Sequence, residues 1–381
     1  MLPKERVRGA FEKRRTDKVP IYQSGFSSRV ASAILGREAY VGGGIQQFRE
    51  ARALWDGEDA HAEFLERSLR DALDISLALE LDIVRPFYWR LRTRPTRKID
   101  ERTYLWGDPQ GDHVVRRFDS ETELFSEVEE RPGPPSDMEG LERHVLLREK
   151  ELTGYRPLAK EQTEVTGAME RVGSTHAVFG YGAGCNIPHS PAIWLEAVAL
   201  RSDLVERILD VQVEQARRLT PVVAGLGAPY ICGGGDFASN AGPFFSPAVF
   251  ERVVAPRLRE VSKVCRGCGG YYLFASDGNL WPVAEELFGR CGVDGYYEID
   301  DWAGMDLAKL RAAFPQVTLL GGVNSRTLHL GPEGAIRGEV RRAMEAAHRY
   351  GGIIVGCSNQ IVCDTPARHV EAMMEEMHRL R

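Results

Sequence analysis

Three carboxyl side chains in the second half of the chain stand among small or aromatic uncharged neighbours: Asp236 after Gly233-Gly234-Gly235, Asp277 after Ala275-Ser276, and Glu298 after Tyr296-Tyr297. Such surroundings shield a carboxyl from water and raise its pKa, which suits it to general acid or base work near neutral pH. Three carboxyls in one cavity repel unless one is protonated, paired with arginine or bound to a metal. Asp236, Asp277 and Glu298 are therefore the candidate catalytic groups. Each also has a plainer reading. Asp277 could be the N-cap of the next helix, and Glu298 the start of the acidic stretch that runs on through Asp300-Asp301. Polar residues in similar positions are Asn279, Asn324, Cys357 and Asn359, and His189 in Asn-Ile-Pro-His-Ser-Pro could donate to a ligand.

These positions share a place in the pattern of elements. Eight short apolar runs (19–25, 82–88, 177–184, 229–236, 271–278, 295–299, 317–324 and 353–359) recur along the chain. They are continuous rather than alternating, as strands buried on both faces should be. Helical patterns separate most of them: 248–265 after the Ser246-Pro247 start signal, then 306–314, 333–349 and 367–380. In the last, Val370, Met373, Met374 and Met377 form one apolar stripe, read as core packing. The fold class expected is α/β, a (β/α)8 TIM barrel, with an open doubly wound sheet as the alternative. In a barrel the C-terminal strand ends build the active site, and the residues above fall at those ends.

The first half adds to a minimal barrel. Helical patterns at 4–15 and 60–81 lead into the first two runs, and about 91–174 is an insertion between strands 2 and 3. Within it, Tyr104-Leu105-Trp106 and Val114-Val115 flank Gly107-Asp108-Pro109-Gln110-Gly111, a hairpin signal. The insertion is expected to cover one mouth of the barrel, and the acidic, proline-rich stretch 127–139 to be a solvated loop. The chain as a whole, 1–381, is read as a single domain.

Composition narrows the function. With 49 basic and 55 acidic side chains the net charge is −6, which leaves no global source for phosphate neutralisation and excludes nucleic acid as the default ligand. A small molecule is the expected partner. The start, Met-Leu-Pro-Lys-Glu-Arg-Val-Arg, lacks the apolar core of a signal peptide. The longest uncharged stretch, 172–195, is broken by glycines and Pro188. A cytoplasmic location without membrane contact is the expectation. Seven cysteines, an odd count with no secretion signal, point to reduced thiols. Cys265-x-x-Cys268 has no second pair at zinc-site spacing, and the Gly180-x-Gly182-x-Gly184 run lacks a phosphate-loop lysine.

Several local patterns together resemble the uroporphyrinogen decarboxylase superfamily: Lys4-Glu5-Arg6-Val7 through Asp17-Lys18-Val19-Pro20, Phe245-Ser246-Pro247, Ala275-Ser276-Asp277-Gly278-Asn279, Gly304-Met305-Asp306-Leu307, Leu320-Gly321-Gly322-Val323 and Gly351-Gly352-Ile353-Ile354. The resemblance covers nearly the whole chain and is strongest from about residue 243. It implies a (β/α)8 barrel with its ligand at the C-terminal mouth. The superfamily contains decarboxylases and cobalamin-dependent methyltransferases. The decarboxylases grip propionates with an Arg-Gln-Ala-Gly-Arg signature after the first strand; here that place reads Gln23-Ser24-Gly25-Phe26-Ser27-Ser28-Arg29, with Arg29 alone remaining. The thiol-activating methyltransferases bind zinc through His-x-Cys after the fifth strand and Cys after the eighth. Cys357 stands at the latter place, while Ala275-Ser276-Asp277 occupies the former.

The resemblance is closest in type to the methyltransferase branch. It implies a corrinoid-dependent enzyme that demethylates a small methoxylated or methylated compound and passes the methyl to a corrinoid carried by a separate partner protein. Asp277, Glu298 and Cys357 form the metal set, which could hold Zn²⁺ with an open position. Substrate contacts are expected from Tyr22, Tyr88, His189, Asn240, Asn279, Asn324 and Asn359, with Phe237, Phe244 and Trp281 adding apolar lining. A homodimer is one assembly open to such a chain. The alternatives are a lyase or decarboxylase acting on a small carboxylate, using Arg29, Arg85 or Arg326, and a non-catalytic ligand-binding barrel.

Overall fold

The computed structural model describes residues 1–381. Seven strands, Ile83–Val84, Ala177–Gly184, Tyr230–Gly234, Tyr271–Ala275, Gly295–Tyr297, Thr318–Val323 and Ile353–Cys357, hydrogen-bond in that order. Every neighbouring pair is parallel, and the sheet curls round an interior. Parallel neighbours need crossover connections, which helices such as Ser202–Gly225, Ala255–Gly267 and Glu333–Tyr350 supply. No helix is long and apolar enough to cross a membrane.

The 19–25 run does not form a ladder strand; it is a correction to the eight full strands expected. It bridges the two edges of the sheet instead. Val355 N donates to Pro20 O and Tyr22 N donates to Val355 O, both at 3.0 Å, while Asp82 N donates to Ile21 O at 2.9 Å. On that second side the Asp82 carboxylate accepts from Ile21 N at 2.8 Å, a side chain standing where a strand would offer its backbone. The same carboxylate pairs with Arg6 and Arg381. The 82–88 run keeps only two ladder residues because Pro86, without an N–H, cannot extend a ladder.

Alternation along these strands sorts side chains into two layers. Tyr22, Phe179, Tyr230, Leu273, Leu320 and Ile354 fill the interior together with Val7, Ala10 and Phe11 of helix Pro3–Phe11. Phe11 packs against Tyr230 and Tyr271, with ring centroids at 5.0 and 4.7 Å. Both tyrosines begin their strands, so this helix plugs the end where the strands start and leaves the opposite end as the mouth. Ile231, Tyr272, Phe274, Leu319, Ile353 and Val355 face outward into the larger core beneath the helices. Val370, Met373, Met374 and Met377 belong to that core, on helix Ala367–Leu380.

The hairpin region is a four-stranded antiparallel sheet, Arg97–Asp100, Thr103–Gly107, His113–Asp119 and Leu124–Arg131, lying in sequence between Ile83–Val84 and Ala177–Gly184. Of the stretch 127–139 expected to be a solvated loop, 127–131 is instead the exposed end of the last strand, 132–137 is the loop, and helix Met138–Gly154 begins after it. Phe48 on helix Gly44–Asp56 holds this sheet, stacked on Phe118 at 4.3 Å. Glu123 fastens its tip to the mouth side: the carboxylate accepts from Ser28 N and Arg29 N, each 3.0 Å away, at the start of helix Ser28–Leu35. A carboxylate there meets the free N–H groups and positive dipole of a helix start. The helix expected over 248–265 opens on a Ser246 cap and widens to π geometry at Phe250–Val254 before continuing as Ala255–Gly267. Pro256 has no N–H to give the preceding turn, which explains the wider turn just before it.

Candidate active site at the mouth

Asp236, Asp277 and Glu298 lie just beyond strands Tyr230–Gly234, Tyr271–Ala275 and Gly295–Tyr297, at the open end. Asp236 is exposed, and its Oδ1 accepts from Asp277 N at 2.9 Å. Asp277 is half-buried and caps no helix. Its two oxygens accept from Asn359 Nδ2 at 3.2 and 2.9 Å. Asn359 is held in turn: its Oδ1 accepts from Gln360 N at 2.6 Å, and its backbone oxygen accepts from Gln23 Nε2 at 3.1 Å. Asn359 therefore orients Asp277. Glu298 sits in the left-handed region at φ 64, a conformation costly for a residue with a Cβ and found where surrounding structure enforces it.

The electrostatics separate these carboxyls. Burial, reinforced by the charges of Asp236 and Asp300, pushes Asp277 up to about 6 against the opposing Asn359 bond. Burial, with Asp277 and Asp236 adding repulsion, pushes Glu298 up to about 8, only partly offset by the positive charge of Arg85. At neutral pH Glu298 holds a proton while Asp277 is mostly ionised. An acid and a base in one mouth is an arrangement that can protonate a leaving group and orient its partner.

The glycines before Asp236 have a backbone reason. A Cβ on Gly233 would lie 2.0 Å from the Ala183 carbonyl oxygen, and one on Gly234, at φ 91, 2.4 Å from that of Ala275. Neighbouring strands, rather than a ligand, require these two.

Cys357 corrects the metal assignment. It shares parity with Ile353 and Val355, so its side chain enters the core under the helices while Ile354 faces the interior. Burial pushes its thiol up to about 12, far from the thiolate that zinc requires. No three His, Cys, Asp or Glu side chains gather in a way that could hold a metal ion, so Asp277, Glu298 and Cys357 do not make one donor set. These residues do not fit a zinc centre. Cys357→Ser is expected to leave the metal content of the purified protein unchanged and to lower stability by about 1–3 kcal/mol, the cost of taking a hydroxyl from water into that core. Elemental analysis and thermal melting check both halves.

Other expected contacts are spent elsewhere. Tyr22 is buried inside the sheet and donates to Leu320 O at 3.0 Å. Asn324 Oδ1 accepts from Arg326 N at 2.9 Å as the cap of helix Ser325–Leu330. Asn279 Oδ1 accepts from Trp281 N at 3.1 Å, closing a turn, and Trp281 Nε1 donates to Gly304 O. Phe237 is stacked in the outer core on Phe245 and Phe250. Tyr88 is buried below Arg85, whose guanidinium lies 5.7 Å from its ring. His189 and Asn240 are exposed, His189 against Phe244 at 5.5 Å. Of the three arginines considered, Arg29 pairs with Asp364 and Arg326 lies 4.4 Å over Trp302, both exposed. Arg85 alone reaches the interior charges. Cys232 and Tyr297, both packed against the inward side chains, are residues that motif reading passes over. Inward parity on their strands is the signal for them.

A model of the uroporphyrinogen decarboxylase (URO-D) family matches residues 189–380. Uroporphyrinogen decarboxylases from Burkholderia thailandensis and Burkholderia pseudomallei are 32% identical over 183 residues, 47% of this chain and 48% of theirs. The chain thus spans about half the length of the curated relatives it matches. A solved methyltransferase from Methanosarcina mazei superimposes with a TM-score of 0.64 at 19% identity, covering 100% of this chain and 99% of that one, a likeness of fold. The family match takes in half of the chain, including Asp236, Asp277, Glu298 and the strands that carry them, and on that ground the chain belongs to the uroporphyrinogen decarboxylase family.

Proposed function

We propose that this protein is a methyltransferase that removes a methyl group from a small methoxylated or methylated compound and delivers it to a reduced corrinoid carried by a separate protein. In this reading residues 1–381 form one barrel domain, with segment 20–22 as its eighth wall and about 91–174 as its insertion. The feature that carries the function is the contrast between buried Glu298, its carboxyl pushed up to about 8, and Asp277, gripped by Asn359 and pushed up only to about 6. Cleaving a methyl–oxygen bond leaves the bonding pair on oxygen, and that oxygen must take a proton to depart as an alcohol. Glu298 supplies the proton, the methyl goes to the acceptor, and Asp277 steadies the positive charge that builds on the methyl in flight.

Large apolar side chains standing exposed in the segments beyond the strand ends support delivery to a protein-borne acceptor. They are Trp89, Phe244, Trp302 and Val362. An exposed apolar rim round a mouth is what a docking protein covers.

A second reading, decarboxylation of a small carboxylate, draws on Arg85, a mouth arginine with no carboxylate partner. Tetrapyrrole as that carboxylate is disfavoured, because Arg29, the one arginine at the propionate-gripping place, is tied to Asp364.

The deciding experiment follows conversion of cob(I)alamin to methylcob(III)alamin by absorbance while methoxy compounds and methylamines are offered in turn. Methylation that requires both a donor and the enzyme is expected. Release of carbon dioxide from small carboxylates, with no methylation by any donor, would replace the first reading with the second.

A further inference from the structure

Arg85 is unusual among the arginines near the mouth. Its hydrogen bonds go only to backbone carbonyls, Nε to Phe87 O at 3.1 Å and Nη1 to Ser24 O. No carboxylate pairs with it, and Nη2 has no hydrogen-bond partner. The two carbonyls and the ring of Phe87, 5.1 Å from the guanidinium, fix the side chain in place. Ser24, whose carbonyl it grips, is 2% exposed, and its hydroxyl has no hydrogen-bond partner. A buried hydroxyl left unpaired costs about 1–3 kcal/mol, and the half-buried guanidinium that grips the carbonyl of the same residue has no anion, so the two together suit a ligand oxygen.

Their position says which ligand. Arg85 follows Ile83–Val84, the first strand of the sheet, and Ser24 follows the bridging segment before it, whereas Asp277 and Glu298 follow the fourth and fifth strands of seven. Curling of the sheet sets these pairs across the mouth from each other. The positive charge of Arg85 nevertheless acts on Glu298, so the span is short. Phe87 and Tyr181, 4.8 Å apart in an edge-to-face pair, stand on the Arg85 side.

We infer that Arg85 and Ser24 form an anion subsite that receives a carboxylate of the substrate, so that the compound processed here is bifunctional, with a carboxylate at one end and the methylated oxygen or nitrogen at the other. The guanidinium fork meets a carboxylate through two parallel bonds, and the Ser24 hydroxyl, buried and unpaired in the unliganded chain, donates a third once its side chain turns toward the ligand. The far end then reaches Glu298 and Asp277. A charged anchor of this kind holds the methyl-bearing atom at one depth in the mouth, which is how binding away from the reacting atom serves catalysis. The carboxylate stays on the molecule as a handle; it is not the leaving group. The inference rests on the reading of the mouth as the reacting site.

Calorimetry with the full chain tests it, using 4-methoxybenzoate and its neutral counterpart methoxybenzene as probes. The wild type is expected to bind the acid at least tenfold tighter than the ether. Arg85→Met should bring the acid down to the level of the ether and leave the ether unchanged, while Arg85→Lys, which keeps the charge but loses the fork, should recover part of the difference. Ser24→Ala should weaken the acid a few-fold. Equal affinity of the wild type for both probes, or no binding of the acid at millimolar concentration, overturns the subsite, and this comparison needs no variant to fold. Retained preference for the acid in a folded Arg85→Met protein overturns it too. Tight binding of the acid through Arg85 with no methylation of cob(I)alamin would keep the subsite and sink methyl transfer. Equal methylation from acid and ether would do the reverse.

Discussion

Glu298→Gln is expected to lower kcat by roughly 10²–10⁴, the range of a positioned general acid, while making the protein more stable in alkali. Both follow from a carboxyl pushed by burial to about 8. An amide of the same shape offers no proton to a departing oxygen, so turnover falls at every pH. In the wild type, activity should decline as pH rises through about 8, where Glu298 ionises, and that limb should be missing from the residual activity of the variant. The stability effect has the opposite sign. Between the ordinary glutamate pKa of about 4.3 and about 8 the folded state keeps a proton that the unfolded chain has released. Unfolding free energy from this group therefore falls as pH rises across that window, and levels off above it. The amide does not titrate, so the variant should exceed the wild type by up to about 5 kcal/mol at pH 9 and by about 1 kcal/mol at pH 5. Thermal melts at the two pH values, beside a pH–rate profile, read both. A variant with full activity would remove Glu298 from the chemistry. One destabilised at every pH would show that its carboxyl is a packing group.

Arg90→Met should produce the largest loss of stability, about 3–5 kcal/mol, because it strips buried Glu50 of its arginine and leaves buried Glu164 only the more exposed Arg92, 3.2 Å away. Arg90 lies between Glu50, 2.5 Å away, and Glu164, with side-chain exposures of 9%, 0% and 7%. Glu50 also accepts from Leu91 N at 2.9 Å and meets His61 Nε2 at 3.2 Å. Burial alone would push the Glu50 carboxyl up, but the Arg90 bond and charge outweigh it and hold the group below its ordinary value. Loss of that partner reverses the balance, and Glu50 then protonates more readily. The deficit should therefore shrink as pH falls, since a protonated Glu50 needs no cation. Urea denaturation at pH 7.5 and pH 5 measures the difference. Equal deficits at both would mean that lost packing, rather than uncompensated charge, accounts for the effect. The network joins helix Gly44–Asp56, helix Thr163–Val172 and the segment after Ile83–Val84. It thereby steadies the stretch that carries Arg85.

Much of this protein can be read along the chain. The inner strands are near-continuous apolar runs because both faces of a curled parallel sheet are buried, so every strand of that sheet lies within a run visible in the sequence. Helices Leu307–Ala313 and Ala367–Leu380 are legible from the Asp306 cap and from the methionine stripe, both local signals. Asp236, Asp277 and Glu298 stand out because each ends an apolar run, and strand ends make the mouth.

Local signals thus account for the order of the elements and for the polar residues at their ends. Which of those residues meet depends on the folded chain. Asn324 and Asn359 look alike in sequence, yet one caps a helix and the other holds Asp277, a distinction set by which neighbour comes within hydrogen-bond reach. Cys357 ends an apolar run just as convincingly, but the two-residue period of its strand turns it to the helix side, and one step of register separates a ligand from a core residue. Pro20 and Asp82 replace a ladder strand by a bridge through contacts made between distant segments. The protonation of Glu298 is likewise no property of glutamate in its local sequence. It arises from burial and from like charges brought from two other strands, and Coulomb repulsion over a few ångströms exists only once the sheet has curled.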